Sequence, residues 1–312
     1  MDKQSINTYP VNACPSCGAT VAEDFSLGGE SRLRRCADCD LVYAAEFADP
    51  AEIYVDGYLS GATDFGLDLL DPHFQQYLAH AALVRLKFLE QHTERGRLLD
   101  VGCGTGDVLA AARGAGWDVQ GVDPVQDAAR YARETRGLPV LGCLLEDSGL
   151  PERSFDVVSA FHVLEHMTDA TSFVRMLARW ARPGGRVVIE VPNWRSFHRL
   201  RHGWAWPGLR PLEHIVHFTP STLNATLSRA GLEPVDFTTP CFLWSKQSLD
   251  EALADLGRIG WQKVFRPLSR ADTGDPSRRI PTRLGWTVLR ATAWAYERAK
   301  VGTVVLAIAR VP

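Results

Sequence analysis

The stretch Leu98-Leu99-Asp100-Val101-Gly102-Cys103-Gly104-Thr105-Gly106 constrains this chain more than any other. A short apolar run gives way to three alternating glycines and then to helical periodicity as far as Ala115. That pattern predicts a strand that turns sharply on glycine and feeds a helix. The alternation continues downstream: 119–122 reads as a strand, 125–136 as a helix, and 139–141 and 155–160 as strands. A helix over 170–181 and a strand over 186–191 follow, with Pro183-Gly184-Gly185 as the turn between them. Strands alternating with helices of this length predict an α/β, Rossmann-like, doubly wound sheet. A further helix opens at Thr219-Pro220-Ser221, where proline suits the first turn. Residues 235–239 and 303–309 supply the last two of seven strands, with a helical insertion at about 243–300 between them. Upstream, Phe74, Tyr77, Leu78, Ala81, Leu86 and Leu89 recur at helical spacing, predicting a helix that packs on this sheet.

A chain of 312 residues, 46% of them hydrophobic, can bury such a sheet and still carry a small extra module. We divide it into 1–66 and 67–312. The first part holds Cys14-Pro-Ser-Cys17 and Cys36-Ala-Asp-Cys39, two tight pairs separated by eighteen residues. Each pair fits a turn aiming two thiolates at one ion, so Cys14, Cys17, Cys36 and Cys39 predict a zinc ribbon. A closed four-thiolate site has no open position for substrate, so its zinc is structural and supplies folding energy. The net charge of −3 argues against bulk attraction to nucleic acid or membranes. The polar first ten residues and the absence of any run near ~18 apolar residues predict a soluble cytoplasmic protein.

The glycine loop narrows the ligand. A dinucleotide pyrophosphate calls for Gly-x-Gly-x-x-Gly, whereas this loop reads Gly-x-Gly-x-Gly. Asp100 before it repels phosphate but suits a sulfonium and an amino group, and Asp123, ending the second strand, can accept from ribose hydroxyls. Together with Val122-Asp123-Pro124, Phe155-Asp156-Val157-Val158, Phe161-His162-Val163-Leu164-Glu165-His166 and Arg182-Pro183-Gly184-Gly185, the loop resembles the class I S-adenosylmethionine-dependent methyltransferases. The resemblance spans about residues 70–240 and the final strand. It implies the seven-stranded methyltransferase sheet and S-adenosylmethionine as cofactor. By it, Asp100, Gly102, Cys103, Gly104, Thr105 and Gly106 cradle the methionine and ribose, Asp123 and Pro124 lie at the ribose diol, and Phe161 belongs to the same site. Cys143 and Leu144 fall at the adenine edge, where the family usually shows an Asp. A subgroup carries a zinc ribbon in front and a His-x-x-His-Phe loop before a helix, matched here by His214-Ile215-Val216-His217-Phe218. Its members modify sugars, polysaccharides, lipids or secondary metabolites, which implies a small-molecule, sugar, glycan or lipid-linked acceptor.

Methyl transfer from a sulfonium is an in-line displacement that needs proximity, orientation and, for a hydroxyl acceptor, a base. His162, Glu165 and His166 follow the fourth strand, and His217 lies on the later loop. The histidines are candidate bases for O-methylation. Alternatively, His162-x-x-Glu165-His166 resembles the Glu-x-x-Glu-His metal site of ubiquinone-biosynthesis O-methyltransferases and plant small-RNA 2′-O-methyltransferases. A second divalent metal would then be completed by His214 or His217. Histidine at the first position softens that site from magnesium towards zinc, manganese or iron. Trp204, Trp206, Arg210 and His214 are candidate acceptor-binding residues, by aromatic stacking and by the guanidinium fork. Residues 256–300 hold ten Lys or Arg against three Asp or Glu, with Trp286, Leu289 and Trp294 interleaved among Arg283, Arg290 and Arg298. That suits an anionic acceptor or a peripheral membrane contact. Two rivals stand beside this reading. One is an RNA methyltransferase gripping nucleic acid through the ribbon, which offers only Arg32, Arg34 and Arg35 without interleaved aromatics. The other is a non-catalytic binding protein on the same fold.

Overall fold

The computed structural model describes residues 6–27, 32–55, 57–58, 61–62, 68–210, 212–242, 265–267, 279–281, 291 and 293–312. The N-terminal strands are β1 (Thr8–Pro10), β2 (Ala22–Phe25), β3 (Leu33–Cys36), β4 (Val42–Ala44) and β5 (Glu46–Ala48), followed by helix α1 (Pro50–Ile53). Helix α2 (Pro72–Glu90) precedes β6 (Arg97–Val101), α3 (Asp107–Gly114), β7 (Asp118–Val122), α4 (Gln126–Glu134) and β8 (Val140–Leu141). Then come β9 (Phe155–Phe161), α5 (Ala170–Trp180), β10 (Ala181–Pro192), α6 (Phe197–His202), β11 (Val216–His217), α7 (Pro220–Arg229) and β12 (Glu233–Thr238). The short antiparallel pair β13 (Phe265–Pro267) and β14 (Arg279–Pro281) lies in the insertion, and β15 (Val304–Arg310) ends the sheet. Residues 243–264, 268–278 and 282–290, with Arg283, Trp286, Leu289 and Arg290, lie outside the described residues, and so does most of the basic segment. No described helix is long and apolar enough to cross a membrane.

The main sheet has seven strands in the order β12-β15-β10-β9-β6-β7-β8. Strands β8, β7, β6, β9 and β10 run parallel, while β15 is antiparallel to both β10 and β12. Leu98, Leu99, Val157, Val158, Val187, Val188 and Ile189 on the three middle strands are fully buried, as strands covered by helices on both faces require. Within those strands two buried acidic side chains interrupt the apolar pattern near the carboxyl ends: Asp100 in β6 and Glu190 in β10. A doubly wound sheet binds ligands at that edge.

The ribbon is not a free-standing module. Its sheet has the order β11-β4-β3-β2, so the catalytic half of the chain supplies the fourth strand. Val216 and His217 pair with Tyr43 and Val42, and Ala44 N–H donates to the Ile215 carbonyl at 2.8 Å. Val11, Cys14, Leu41 and Tyr43 share one buried cluster with Val174, Ile215, Phe218 and Leu223. The Pro15 carbonyl accepts from Ala170 N–H at 2.9 Å, satisfying an otherwise orphaned donor in the first turn of α5. Buried Ser16 pairs with Thr226 at 2.7 Å. The boundary at 66 thus separates sequence, but the hydrophobic core runs across it.

Candidate active site

Two turns build the four-cysteine site. Cys14 N–H donates to the Ala19 carbonyl and Gly18 N–H to the Cys14 carbonyl; Cys36 N–H donates to Leu41 and Asp40 N–H to Cys36 in the same way. Gly18 and Asp40 close the turns with φ of 76° and 61°. The Cys14 and Cys39 sulfurs lie 3.5 Å apart, as do those of Cys17 and Cys36. All four cysteines are free, and their sulfurs lie within 4.8 Å of one another. The edge of a tetrahedron with Zn–S bonds of about 2.3 Å is about 3.8 Å, so the set fits a zinc ion and not two disulfides.

Across the sheet, the loop after β6 folds over its carboxyl end. Gly102 N–H donates to the Val122 carbonyl at 2.9 Å, and Gly104 N–H to Asp123 Oδ2 at 2.7 Å. Gly104 has φ of 53°, and nothing stands within 4 Å of where a Cβ would sit, so the loop presents bare backbone to open space there. At Gly102, by contrast, a side chain would collide with Val163. Asp123 is buried and accepts one backbone bond on each oxygen, from Gly104 and from Val125 at 2.9 Å, which leaves each oxygen a second lone pair. Asp100 is buried and accepts from the Ser159 hydroxyl at 2.7 Å; burial, against that hydrogen bond, pushes it up to about 7. These acids and Gly104 form a cradle that would fit a cationic, ribose-bearing cofactor. Cys103 is buried in the core below, and the Thr105 hydroxyl donates to Asp107. Pro124 is exposed beside the cradle, and Cys143 and exposed Leu144 follow the end of β8.

The second group of residues starts where β9 ends. Phe161 is buried under the Arg85 guanidinium, whose carbon lies 4.9 Å from the ring centroid. His162 takes φ of 58°, a left-handed conformation uncommon for a side-chain-bearing residue. Its two ring nitrogens reach Glu165 Oε1 at 3.0 Å and Glu190 Oε1 at 3.1 Å. Glu190 is itself held by Arg85, with the Nε contact at 3.1 Å. Burial opposes charge on His162, but the hydrogen bonds to Glu165 and Glu190 outweigh it and raise the imidazole to about 9. Burial likewise opposes charge on Glu190, but Arg85 and then His162 bring its carboxyl down to about 2. His162 is therefore an imidazolium donating from both nitrogens, with no lone pair for an acceptor proton or a metal. Both ring nitrogens, the atoms by which a base or ligand would act, are thus engaged by carboxylates.

Glu165 is fully buried, and its other oxygen, Oε2, has no hydrogen-bond partner among the described residues. A bare buried carboxylate oxygen is costly unless something pairs with it. Beside it, His166 Nδ1 donates to the Glu213 carbonyl at 3.0 Å, and His214 Nδ1 to the Gly208 carbonyl at 2.9 Å. Both rings are thereby fixed in the tautomer that leaves Nε2 as a lone pair. Burial and the neighbouring His166 hold His214 well below the usual imidazole range, hence neutral. The two rings meet edge to face at 4.8 Å, and one ligand atom from each of Glu165, His166 and His214 lies within 4.8 Å of the others. Two imidazoles and one carboxylate, with open positions, fit a divalent first-row metal.

Of the two histidines that could complete that group, the structure brings His214 to it and not His217. His217 turns the other way, onto Trp194 at 4.9 Å, and burial and then Arg199 lower it to about 3. His217 thus stands outside the group formed by Glu165, His166 and His214. Trp206 is buried with Leu33, Val42, Ala44, Trp194 and Leu209, and half-buried Trp204 packs against them. These tryptophans pack the loop against the ribbon. Arg210 binds Glu213, with Nε at 2.6 Å. The sequence reading missed Arg85, Glu190, Glu213 and the tyrosines Tyr54 and Tyr58. A charge inside an apolar run, as in Val188-Ile189-Glu190-Val191, is the sign that could have revealed Glu190.

Comparison with known proteins places this geometry. The chain is 34% identical over 156 residues to a ubiquinone biosynthesis O-methyltransferase of Bordetella avium, covering 44% of this chain and 62% of that protein. It is 31% identical over 167 residues to a protein of the same description from Idiomarina loihiensis, covering 49% and 69%. The match thus spans less than two thirds of the first relative's length. A solved S-adenosylmethionine-dependent methyltransferase of Thermotoga maritima, titled a possible histamine N-methyltransferase, superposes with a TM-score of 0.49 at 17% identity, covering 78% of this chain and 97% of that one. A family model described as a methyltransferase domain matches residues 73–236, more than half of the chain, and the chain therefore belongs to the S-adenosylmethionine-dependent methyltransferase domain family.

Proposed function

We propose that the protein transfers a methyl group from S-adenosylmethionine to a hydroxyl of a small-molecule acceptor, held at a divalent metal on Glu165, His166 and His214. The observation that carries this reading is the bare Glu165 Oε2 beside two imidazoles whose Nδ1 atoms are tied down by carbonyls. The curated relatives are O-methyltransferases by description, which supports oxygen as the methylated atom.

S-adenosylmethionine supplies an electrophilic methyl on a sulfonium. Asp123 is placed to accept from its ribose hydroxyls through the free lone pairs, Gly104 lets it approach the backbone, and Asp100 counters its positive charge. A divalent ion at the triad supplies Lewis acidity that eases loss of a hydroxyl proton. The chain's own residues set the stage for that. His162 grips Glu165 by one oxygen and directs the other inwards, and the Arg85–Glu190 pair holds His162. The Glu213 and Gly208 carbonyls orient the two ligand imidazoles. The acceptor thus meets the methyl at the carboxyl edge of β6 and β9, and positioning does the rest. An RNA acceptor has less behind it, since Arg34 reaches the Val11 carbonyl and Asp24, and Arg35 reaches Asp40 and the Phe25 ring.

The test is formation of S-adenosylhomocysteine with a panel of catechols, sugars and aliphatic alcohols, followed by product analysis. A methylated oxygen is expected; a methyl on nitrogen or carbon would overturn the hydroxyl assignment. Binding carries its own pH signature. Asp100 titrates near 7 in the empty cradle and attracts a cation only when ionised, so affinity for S-adenosylmethionine should rise with pH. At pH 6 it should sit about tenfold below its plateau above pH 8. Asp100→Asn should bind more weakly and without that slope, as calorimetry at several pH values would read. A wild-type affinity flat from pH 6 to 8 would remove Asp100 from the cofactor contact.

A further inference from the structure

The ribbon and the triad are connected by more than packing. The segment 212–217, which carries His214, is held on both sides: Ala44 and Ala48 of the N-terminal half donate to the Ile215 and Leu212 carbonyls at 2.8 and 3.0 Å, while Ile215 N–H donates to the Glu165 carbonyl at 2.8 Å. A second link comes from the stretch after α1. The Tyr58 hydroxyl donates to Glu213 Oε1 at 3.0 Å, Arg210 takes Oε2, and the carbonyl of this same Glu213 fixes His166. Tyr54 stands edge to face against both Tyr58, at 5.1 Å, and His166, at 6.2 Å. Glu213, buried, is thus anchored by a hydroxyl from the N-terminal module, and its carbonyl sets one ligand's tautomer while the residue neighbours the other.

We propose that the N-terminal module is a positioning element of the triad: β4 and Tyr58 fix the segment 212–217 so that His214 and His166 meet Glu165 in one geometry. This rests on the metal reading above and adds to it a function for the ribbon. A four-cysteine module whose only task was its own stability would have no need to pair β4 with β11 and to lend a half-buried tyrosine hydroxyl to Glu213. In metalloproteins, groups that orient a ligand histidine are worth 10–100-fold in metal affinity. Tyr58 and the Glu213 carboxylate act one residue further out, through the backbone of Glu213, and the low end of that range is expected.

The experiment is calorimetric titration of manganese(II) into the zinc-loaded protein, with elemental analysis for zinc. Wild type should bind one manganese per chain, and His214→Ala should abolish that binding. Tyr58→Phe, which removes one hydroxyl and leaves the ring, should weaken manganese about tenfold. It should keep its zinc, its melting temperature and its affinity for S-adenosylhomocysteine. Glu213→Gln should behave similarly. Were Tyr58 merely structural, its loss would lower the melting temperature and leave manganese affinity alone, and that result overturns the proposal. If wild type takes up no manganese, or His214→Ala takes it up unchanged, the metal reading itself falls and the proposal with it. The His214 variant thus tells the two failures apart.

Discussion

Replacing His166 with alanine is expected to lower turnover at least ~10²-fold while leaving the affinity for S-adenosylhomocysteine nearly unchanged. The separation follows from where the side chain sits. His166 lies beyond the end of β9, its Nδ1 bound to the Glu213 carbonyl and its Nε2 facing Glu165 and His214, whereas the cofactor cradle is built from Asp100, Gly104 and Asp123 on β6, β7 and their loops. Removing the ring deletes a ligand, or a base where no metal binds, without touching those contacts. Chelation separates the two roles. If the triad works through a metal, a chelator that spares the ribbon zinc should reproduce the loss in wild type, and added manganese should restore it. If His166 works as a base, wild type should ignore the chelator. A fully active His166→Ala protein that is also indifferent to chelators would leave the reaction to proximity alone, as suits an already nucleophilic amine. His162→Ala should show a partial loss, because His162 acts through Glu165: its imidazolium, held near 9 by Glu165 and Glu190, is lost as a cation only above that pH. Activity that depends on it should therefore persist through neutrality and decline on the alkaline side.

Much of this was legible in the chain because it depends on local order. The seven strands, the glycine loop and Asp123 come from residues close in sequence, and each shows a period or a spacing that physics ties to one conformation. The two cysteine pairs are local in the same way. What the sequence could not order was contact between distant segments. His162, Glu165 and His166 looked like a single motif, and only the structure shows Glu190 arriving from another strand to take Nε2 of His162 while Glu165 takes Nδ1, with Arg85 of α2 holding Glu190. The choice between His214 and His217 depended on which side of one extended segment faces Glu165, and that is settled by pairing with β4, some 170 residues upstream. The tryptophan-rich loop read as an acceptor cover because composition alone cannot tell a stacking face from a packing one. Trp194 and Trp206 have the ribbon's Leu33, Val42 and Ala44 to cover them.

The ribbon also sets the scale of the largest stability effect. Cys36→Ser is expected to empty the four-cysteine site and lower the melting temperature by roughly 10–20 °C. A structural zinc contributes apparent binding free energy of about 10–16 kcal/mol, and forfeiting about 7–13 kcal/mol of it moves the midpoint of a 312-residue chain that far. The loss should not stay within the first forty residues. Cys36 ends β3, β3 pairs with β4, and β4 holds β11, so the edge that fixes 212–217 loosens when the turn around Cys36 opens. Buried Leu41, Tyr43, Ile215 and Phe218 lie in the cluster shared by both halves and would be exposed together. Manganese uptake at the triad should therefore fail in Cys36→Ser at temperatures where S-adenosylhomocysteine still binds, since Asp100 and Asp123 take their hydrogen bonds from Ser159, Gly104 and Val125 and not from the ribbon. Elemental analysis and a calorimetric melt decide the first point, and titration of the folded variant decides the second. A Cys36→Ser protein that kept one zinc and its full melting temperature would mean that these four sulfurs do not hold the ion.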